Sequence, residues 1–493
     1  MGIAGLIFLS SGLFLGWSLG AQDASNVFGT AVATRMVKFK TAAFFCSVFV
    51  MLGAVISGVG AADTLGSLGE VNAIGGSFVT AFSAAFTAAI MSKTGISISV
   101  SQAVVGSIIG WNWYTHSVTD TNSLVKMAGT WVACPVISGL LAVPLFAGFK
   151  KISDTVKLSL LRRDVSLRLA MIVTGAFGSY ALGANNMANV VGVFIPVSPF
   201  KTFSVSGFEI TGVQQLFFVG AAAVAVGVYT YSYKVMMTVG KGLMPLSPFA
   251  AWIVVLCQGL VLFLFASEGL EYFLASHGLP TIPLVPVSST QAVIGAVLGI
   301  GLYKGGKNIQ WKVLFKVMGG WVVAPVMTAC VCFFFLFFME NVFRQPVFIP
   351  KHYVLSQGVI NKLAQMDLPT QGILVEKGYT STQGTEFIKR IEKYIPDLTN
   401  AQELKILKYA TVTKIHIDEN KFSSLPQDMF TARQIDDLKM LTGKKFRHTW
   451  ELEQTLTELN NEWEPLPSTV LNKKQNAVVR KRFQVIENTF KWE

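Results

Sequence analysis

The sequence predicts an all-α membrane protein: a polytopic domain built as an inverted repeat with broken or re-entrant helices, followed by a soluble, mostly helical C-terminal domain. Two observations predict this fold class. First, the 493-residue chain is 52% hydrophobic and 14% charged, and residues 1–340 hold 18 Lys and Arg and 10 Asp and Glu, against 22 and 18 in residues 341–493. Second, three segments of the apolar part recur in the same order. A duplicated transmembrane domain therefore precedes a water-exposed one.

Ten apolar segments fit the membrane part, five in each half. They cover about residues 3–20, 42–60, 73–92, 95–111 and 125–149, then 168–187, 213–237, 246–268, 283–302 and 313–339. Several fall short of the roughly 20 residues of a full crossing, as half-helices or re-entrant hairpins would. We therefore divide the chain into a first transmembrane repeat (1–149), a basic cytoplasmic linker (150–167), a second, inverted repeat (168–340) and a soluble accessory domain (341–493).

The central repeated motif places amides and small residues inside apolar runs. Residues 20–30 read G-A-Q-D-A-S-N-V-F-G-T, and residues 183–193 read G-A-N-N-M-A-N-V-V-G-V. One interpretation is that such residues only pack the helices together. Two copies in two halves favour instead a substrate site built from matching broken helices near the membrane midplane.

Two further repeats support the duplication. The first pairs V-S-Q-A-V-V-G-S-I-I-G at 100–110 with S-T-Q-A-V-I-G-A-V-L-G at 289–299, and the second pairs G-T-W-V-A-C-P-V at 129–136 with G-G-W-V-V-A-P-V at 319–326. Hydroxyl residues stand at the start of both glycine-containing helices; they are Ser97, Ser99, Ser101, Ser288, Ser289 and Thr290. A helix that begins inside the membrane with such caps offers free N–H groups and a positive dipole end to an anion. The alternative is that these hydroxyls bond back to their own helix.

The motif segments contain no Lys or Arg. An anion there would meet only dipoles, hydroxyls and amides, while Asp23 adds a further negative charge, so the site needs bound cations. Hard oxygen donors such as Asp23, Asn26 and Asn189 suit an alkali cation. This pattern predicts cation-coupled anion symport.

The repeated G-A-N-D-x-x-N motif, each copy followed by a P-V-S-T-T-H-A-like segment and a Trp-containing helix, resembles the inorganic phosphate transporter (PiT) family over roughly residues 5–338. The resemblance implies a Na⁺- or H⁺-driven symporter of phosphate or a similar tetrahedral oxyanion, and a homodimer. By this resemblance, the substrate-binding residues are Gln22, Ser99, Ser101, Gln102, Asn185, Ser288, Ser289, Thr290 and Gln291. The cation-binding residues are Asp23, Asn26, Asn186 and Asn189.

The chain departs from the family pattern at four positions. Gln22 replaces an Asn, Asn186 replaces the second Asp, and Gln102 and Gln291 stand where the family usually has His. The loss of one carboxylate favours fewer coupled cations or another anion. The alternatives are therefore a sulfate-type permease of the same family, or a transporter-like anion sensor that signals through its C-terminal domain.

Other function classes find little support. No nucleophile and base pair or metal-ligand set is visible, so an enzyme is not expected, and no cofactor is expected beyond Na⁺ as a candidate coupling ion. The net charge of +12 comes mostly from Lys and Arg beside the spans, so the expected partners are a small inorganic anion and the lipid bilayer, without nucleic acid. In the predicted accessory domain, residues 341–493, which we call the tail, apolar residues at helical spacing predict helices over 386–395 and 434–459.

Basic residues set the predicted orientation in the plasma or inner membrane. The positive-inside rule assigns to the cytoplasm the basic segments 35–40, 150–168 and 234–241. It assigns to the opposite side the segments 63–70, 111–120 and 268–277. Because five spans per half is an odd number, the second half is inverted and both termini are extracytoplasmic.

We expect an epitope tag placed after Glu493 to be labelled by an impermeant reagent in intact cells. A tag in the loop at 150–167 is the matched control and should be labelled only after permeabilisation. Labelling of the C-terminal tag only after permeabilisation would contradict the assigned orientation.

Overall fold

The computed structural model describes residues 3–93, 98–156, 159–205, 208–239, 244–307, 309–366, 368–370, 372–426 and 429–492. The chain forms two compact units. The first consists of residues 1–115, 119–270 and 282–349, and the second of residues 116–118, 271–281 and 350–493. The predicted domain boundaries stay predictions, but within the predicted linker 150–167, helix continues to Thr155 and resumes at Leu160.

The first unit is helical, with one short hairpin. Its helices are α1 (Ile3–Ala33), α2 (Phe39–Ser57), α3 (Val59–Leu68), α4 (Ile74–Lys93), α5 (Val100–Thr115), α6 (Thr121–Thr155), α7 (Leu160–Val191), α8 (Gly212–Thr230), α9 (Ser232–Val239), α10 (Pro248–Leu264), α11 (Glu268–Ser276), α12 (Ser289–Tyr303) and α13 (Trp311–Asn341), with α11 running into the second unit. The hairpin pairs β1 (Phe203–Val205) with β2 (Phe208–Ile210) in antiparallel register.

Within the described residues, 7 helices are long and apolar enough to cross a membrane, and α10 with α11, bent by 67°, provides an eighth. The predicted spans at 95–111 and 283–302 correspond instead to the short helices α5 and α12, which have 16 and 15 residues. Both are largely buried although they are too short to cross, as expected of half-helices. The all-α, broken-helix fold class is confirmed.

Glycines allow the long helices of the two halves to cross at backbone contact. A Cβ atom on Gly20 of α1 would lie 2.0 Å from the carbonyl oxygen of Val224 on α8, and one on Gly227 would lie 2.1 Å from that of Trp17. The equivalent crossing of α2 and α7 is built in the same way, because a Cβ atom on Gly53 would lie 2.0 Å from the carbonyl oxygen of Tyr180. Only glycine permits this approach.

Each of the two short helices, α5 and α12, packs against a long helix of the other half. Gly106 of α5 lies against the backbone of Pro325 on α13, where a Cβ atom would be 2.2 Å from the carbonyl oxygen. Gly295 of α12 lies against Pro135 on α6 at a corresponding 2.1 Å. Each half-helix therefore packs on the proline-containing helix of the other half. This reciprocal packing is the arrangement of an interleaved inverted repeat.

The second unit adds short helices and two small antiparallel sheets. Its helices are α14 (Gln357–Ala364), α15 (Gly384–Glu392), α16 (Asn400–Ala410), α17 (Ala432–Met440), α18 (Thr449–Leu459) and α19 (Lys473–Phe490). Its strands are β3 (Tyr353–Val354), which pairs with β4 (Thr380–Ser381), and β5 (Ile415–His416), which pairs with β6 (Lys445–Phe446). The single helical stretch expected at 434–459 is wrong, because a turn at Gly443 with φ 81° and strand β6 divide it into α17 and α18.

The tail contains the same backbone arrangement twice. In the first copy, the Gly378 N–H donates to the carbonyl of Leu355 at 2.9 Å, and in the second the Gly443 N–H donates to the carbonyl of Ile417 at 2.8 Å. Both glycines have positive φ, 92° and 81°, which favours glycine at each turn. Each copy also has its own buried apolar cluster, within 353–410 and 415–490.

Both copies also close in the same way after their last helix. Val412, which follows α16, donates its N–H to the carbonyl of His352 at 2.8 Å, and Trp492, which follows α19, donates to the carbonyl of Lys414 at 3.1 Å. In each case the returning chain pairs beside the first strand of its own copy. The tail is therefore a tandem duplication of one small α/β module.

Substitution Gly227→Ala should destabilise the membrane unit, because its Cβ atom would overlap the Trp17 carbonyl and force α1 and α8 apart; we expect a loss of about 1–3 kcal/mol. Thermal unfolding of the detergent-purified protein measures the change. Gly129→Ala in α6 is the control, since nothing lies within 4 Å of its Cβ position. Equal stability of the two variants would contradict the close crossing.

Candidate functional site

The two signature motifs lie on continuous helices. Residues 20–30 belong to α1, and residues 183–191 form the last turns of α7. The expectation that the motif helices themselves are broken is wrong; the helix starts inside the unit are those of α5 and α12. A spacing of three residues places Asp23 and Asn26 on one face of α1, and Asn186 and Asn189 on one face of α7.

The first cluster connects α1 with α12 of the other half. The Nδ2 group of Asn26 contacts Ser289 Oγ at 3.0 Å, Thr290 Oγ1 at 3.2 Å and Asp23 Oδ1 at 3.3 Å. The Ser289 hydroxyl also hydrogen-bonds to Asp23, which is only 6% exposed. A carboxylate, an amide and two hydroxyl groups thus meet at the N-terminus of α12.

The second cluster connects α7 with α5 by equivalent contacts. Asn189 Nδ2 donates to Ser101 Oγ at 2.7 Å and to Asn186 Oδ1 at 3.1 Å. Ser101 in turn donates to the carbonyl of Val287 at 3.3 Å, immediately before α12. All these side chains are buried. The two motifs therefore make the same cross-half connection, each to the short helix of the opposite repeat.

Asn185 holds the extended segment that leads into α12. Its Nδ2 donates to the carbonyl of Val285 at 3.3 Å, and its Oδ1 accepts the N–H of Val287 at 2.9 Å. The side chain thus pairs with the segment as a neighbouring strand would. Because Val287 and Thr290 are three residues apart, the chain between the two clusters spans at most about 11 Å.

Serine caps set the starts of both short helices. Ser99 Oγ accepts the N–H of Gln102 at 3.4 Å, and Ser288 Oγ accepts that of Gln291 at 3.3 Å. Capping satisfies one free N–H at each helix start and leaves others for a ligand. Ser97, which belongs to the same hydroxyl run, lies outside the described residues.

The structure places most of the predicted residues of these four helices in the two clusters or at the starts of α5 and α12, but Gln22 lies apart from them. Gln22 is half-buried, and its amide contacts Ser18 of its own helix at 3.1 Å. Its counterpart by repeat is Asn185, which instead holds residues 285–287. Among the described residues, the Gln22 side chain therefore makes no hydrogen bond to either cluster. The roles of all these residues in binding stay predictions.

Two supporting residues were missed at the level of sequence. Cys134 Sγ of α6 contacts the carbonyl of Ser288 at 3.6 Å, and Ser138 Oγ donates to that of Ala292 at 2.6 Å. These contacts attach the first turn of α12 to the helix beside it. The available signal was the third repeated segment, which contains Cys134, and the spacing of four residues to Ser138.

Several buried polar atoms at the site have no hydrogen-bond partner among the described residues. They are Gln102 Oε1, Gln291 Oε1, Asn186 Nδ2 and Asn189 Oδ1. A buried polar group without a partner costs roughly 1–3 kcal/mol, so these atoms mark where ligands would bind. Carboxylate, amide and hydroxyl oxygens are suitable ligands for an alkali cation such as Na⁺, whereas N–H groups are suitable hydrogen-bond donors to an anion.

The comparisons with known proteins agree with this arrangement. The model of the Phosphate transporter family matches residues 19–271 and 279–458. The chain is 27% identical to a protein of Methanocaldococcus jannaschii provisionally named a phosphate permease, over 65% of this chain and 93% of that protein. It is also 27% identical to the sulfate permease CysP of Bacillus subtilis, over 73% of this chain and 94% of the relative.

A solved structure has the same fold. It is a sodium-dependent phosphate transporter with a TM-score of 0.51 and 20% sequence identity, and the match covers 67% of this chain and 98% of that one. The chain is also 26% identical to the human sodium-dependent phosphate transporter 1, over 32% of this chain and 22% of that protein.

Substitution Asn185→Ala should lower the stability of the protein, because the buried Val285 carbonyl and Val287 N–H lose their partner; we expect about 1–3 kcal/mol. The matched control is Gln22→Ala at the repeat-equivalent position, where only a contact within the helix is lost. Thermal unfolding compares the two variants. A similar effect of both would contradict the role of Asn185 as the support of the α12 start.

Proposed function

Because this chain belongs to the Phosphate transporter family, we propose that it is a cation-coupled symporter of inorganic phosphate or a similar tetrahedral oxyanion, driven by Na⁺ or H⁺. The family is one of transporters and not of enzymes, and the chain is an integral membrane protein. Its substrate class is a small inorganic anion. Uptake into proteoliposomes under defined ion gradients distinguishes the coupling ions and the oxyanions.

The observation that carries this proposal is the pair of cross-half clusters. Each places an asparagine motif against the start of the opposite half-helix, where hydroxyls and amides converge without any Lys or Arg in the motif segments. Helix N–H groups, amides and hydroxyls can bind a tetrahedral anion but cannot neutralise it. The Asp23 carboxylate increases the negative charge, so anion entry requires a cation.

The same geometry supports movement of the site between two sides of the membrane. One cluster joins α1 to α12, and the other joins α7 to α5. A motion of α1 and α5 relative to α7 and α12 would therefore change both clusters together. Inverted repeats commonly provide alternating access in this way. We also propose a homodimer, on the basis of the resemblance alone, and light scattering of the detergent-solubilised protein measures it.

The orientation with both termini outside has support from the second compact unit. Segments 116–118 and 271–281 belong to that unit together with the tail. Both overlap the loops that the positive-inside rule assigns to the extracytoplasmic side. Lys473 of the tail also approaches Glu271 at 3.7 Å.

Sulfate is the second candidate substrate, because the Bacillus subtilis relative is a sulfate permease that matches over 73% of this chain. Phosphate and sulfate share the tetrahedral oxygen arrangement but differ in protonation at neutral pH. A site that presents acceptor oxygens favours the protonated phosphate, whereas a site that presents only donors favours sulfate. The relative competition of the two anions therefore distinguishes the candidates.

We expect saturable uptake of labelled phosphate or sulfate into proteoliposomes under an inward Na⁺ or H⁺ gradient, and loss of cation-dependent uptake in Asp23→Asn. The expectation follows because Asp23 is the single carboxylate of the two motifs. The control is Asp63→Asn, which changes an exposed carboxylate on α3. Anion binding without saturable uptake would indicate a sensor, and unchanged ion dependence in Asp23→Asn would contradict coupling at this residue.

A further inference from the structure

Asp23 on α1 and Asn186 on α7 occupy equivalent places in the two motifs. Asn26 Nδ2 contacts Asp23 Oδ1 at 3.3 Å, and Asn189 Nδ2 donates to Asn186 Oδ1 at 3.1 Å. Each of the two asparagines also contacts a hydroxyl group at the start of the opposite half-helix. The two clusters therefore differ in two chemical groups: a carboxylate in the first where the second has an amide, and the hydroxyl of Ser289, whose repeat-equivalent position holds Val100.

The hydrogen bonds of the second cluster determine how the Asn186 amide is oriented. Ser101 donates its hydroxyl hydrogen to the Val287 carbonyl, so its oxygen accepts from Asn189 Nδ2. The same NH₂ group gives its second hydrogen to Asn186 Oδ1. With Asn189 oriented in this way, a reversed Asn186 amide would place two donors against each other, so the orientations of the two amides are coupled.

One consequence is a buried donor with no acceptor. Asn186 is 2% exposed, and its Nδ2 has no hydrogen-bond partner in the described parts of the chain. The neighbouring Asn189 Oδ1 also has none, but a neutral amide oxygen alone does not balance the charge of a cation. An N–H group carries a partial positive charge, so it binds an anion oxygen and disfavours a cation. When it is ionised, Asp23 in the same place of the first cluster has only acceptor oxygens and a full negative charge.

On the basis of the proposed oxyanion transport, we propose that Asn186 Nδ2 binds the anion and that the second motif holds no cation of its own. One cation, held at Asp23, is then coupled to each anion. This differs from the sequence-based assignment of Asn186 to cation binding. The two equivalent positions of the duplicated site have thus taken opposite tasks, with a cation ligand in one half and an anion donor in the other.

Charge balance supports this division. A site with carboxylates at both positions and a cation beside each would have the same net charge as a site with one carboxylate and one cation. Replacing the second carboxylate by an amide therefore removes the need for the second cation. It also replaces an acceptor that repels the anion with a donor that binds it.

Initial uptake of phosphate and of sulfate into proteoliposomes tests the proposal, measured against Na⁺ at fixed pH and against pH at fixed Na⁺. For the native protein we expect a Hill coefficient close to one for the driving cation. In Asn186→Asp the anion KM should rise about tenfold or more at a cation concentration that saturates the native protein, because an anion-bound N–H is lost and a charge is added. Its Hill coefficient should rise towards two.

Two further variants separate charge from shape. Asn186→Leu removes the donor without adding charge, so its anion KM should rise while its Hill coefficient stays close to one. The exchange variant Asp23→Asn with Asn186→Asp moves the carboxylate to the equivalent position, and it should regain cation-dependent uptake that Asp23→Asn alone lacks. Size-exclusion profiles and thermal unfolding show which variants are folded.

A Hill coefficient of two in the native protein would overturn the proposal, and so would an unchanged anion KM in both folded Asn186 variants. If neither variant folds, the native Hill coefficient alone decides. If the native protein shows no saturable uptake of either anion, the transport proposal fails. Equilibrium binding of labelled phosphate and sulfate to the purified native protein and to Asn186→Leu then tests the role of Asn186 by itself.

Discussion

A polar side chain in the interior of a membrane protein must find a hydrogen-bond partner, and Asn26 and Asn189 both find theirs in the opposite half of the chain. Asn26 reaches Ser289 and Thr290 on α12, and Asn189 reaches Ser101 on α5. Because these contacts are reciprocal, neither half can form its polar centre alone. The site and the interleaving of the repeats depend on the same hydrogen bonds.

Glycine packing holds the same two motif helices against their other neighbours. The helices that carry the asparagine motifs also approach their other neighbours at backbone distance, α1 through Gly20 against Val224 and α7 at Tyr180 against Gly53. Without a hydrophobic driving force between helices in lipid, close contact at small residues supplies much of the attraction. Sites of helix packing and sites of binding therefore lie on the same few helices, and the amides of the motifs serve both purposes.

The tail shows a second duplication of another kind. Its two modules keep the turn glycines Gly378 and Gly443 and the closing bonds made after α16 and α19. These are backbone interactions, which many side chains can accompany, so the two modules diverged in sequence while their folds stayed alike.

The sequence alone predicted much of the fold and of the candidate site. Apolar length and the order of three repeats predicted a duplicated helical membrane domain, and the polar residues inside those repeats predicted the candidate site, because both signals are local in the chain. The helix breaks lie elsewhere than the motifs indicate: α1 continues through its motif and α7 runs to Val191 near the end of its own, since one helical face can present residues three apart. The tail repeat was not predicted, because it consists of backbone hydrogen bonds such as that of Gly378 to Leu355, and one turn glycine in each module is too weak a sequence signal.

Only the tertiary structure decided which half supplies each partner. Nothing in the local sequence tells whether Asn26 pairs with Ser99 of its own half or with Ser289 of the other, because that choice depends on how the two repeats are packed. The orientation of the Asn186 amide is likewise coupled to that of Asn189, which contacts Ser101 of the other half. Residue types and their spacing are properties of the sequence, whereas the direction of each hydrogen bond exists only once distant segments are in contact.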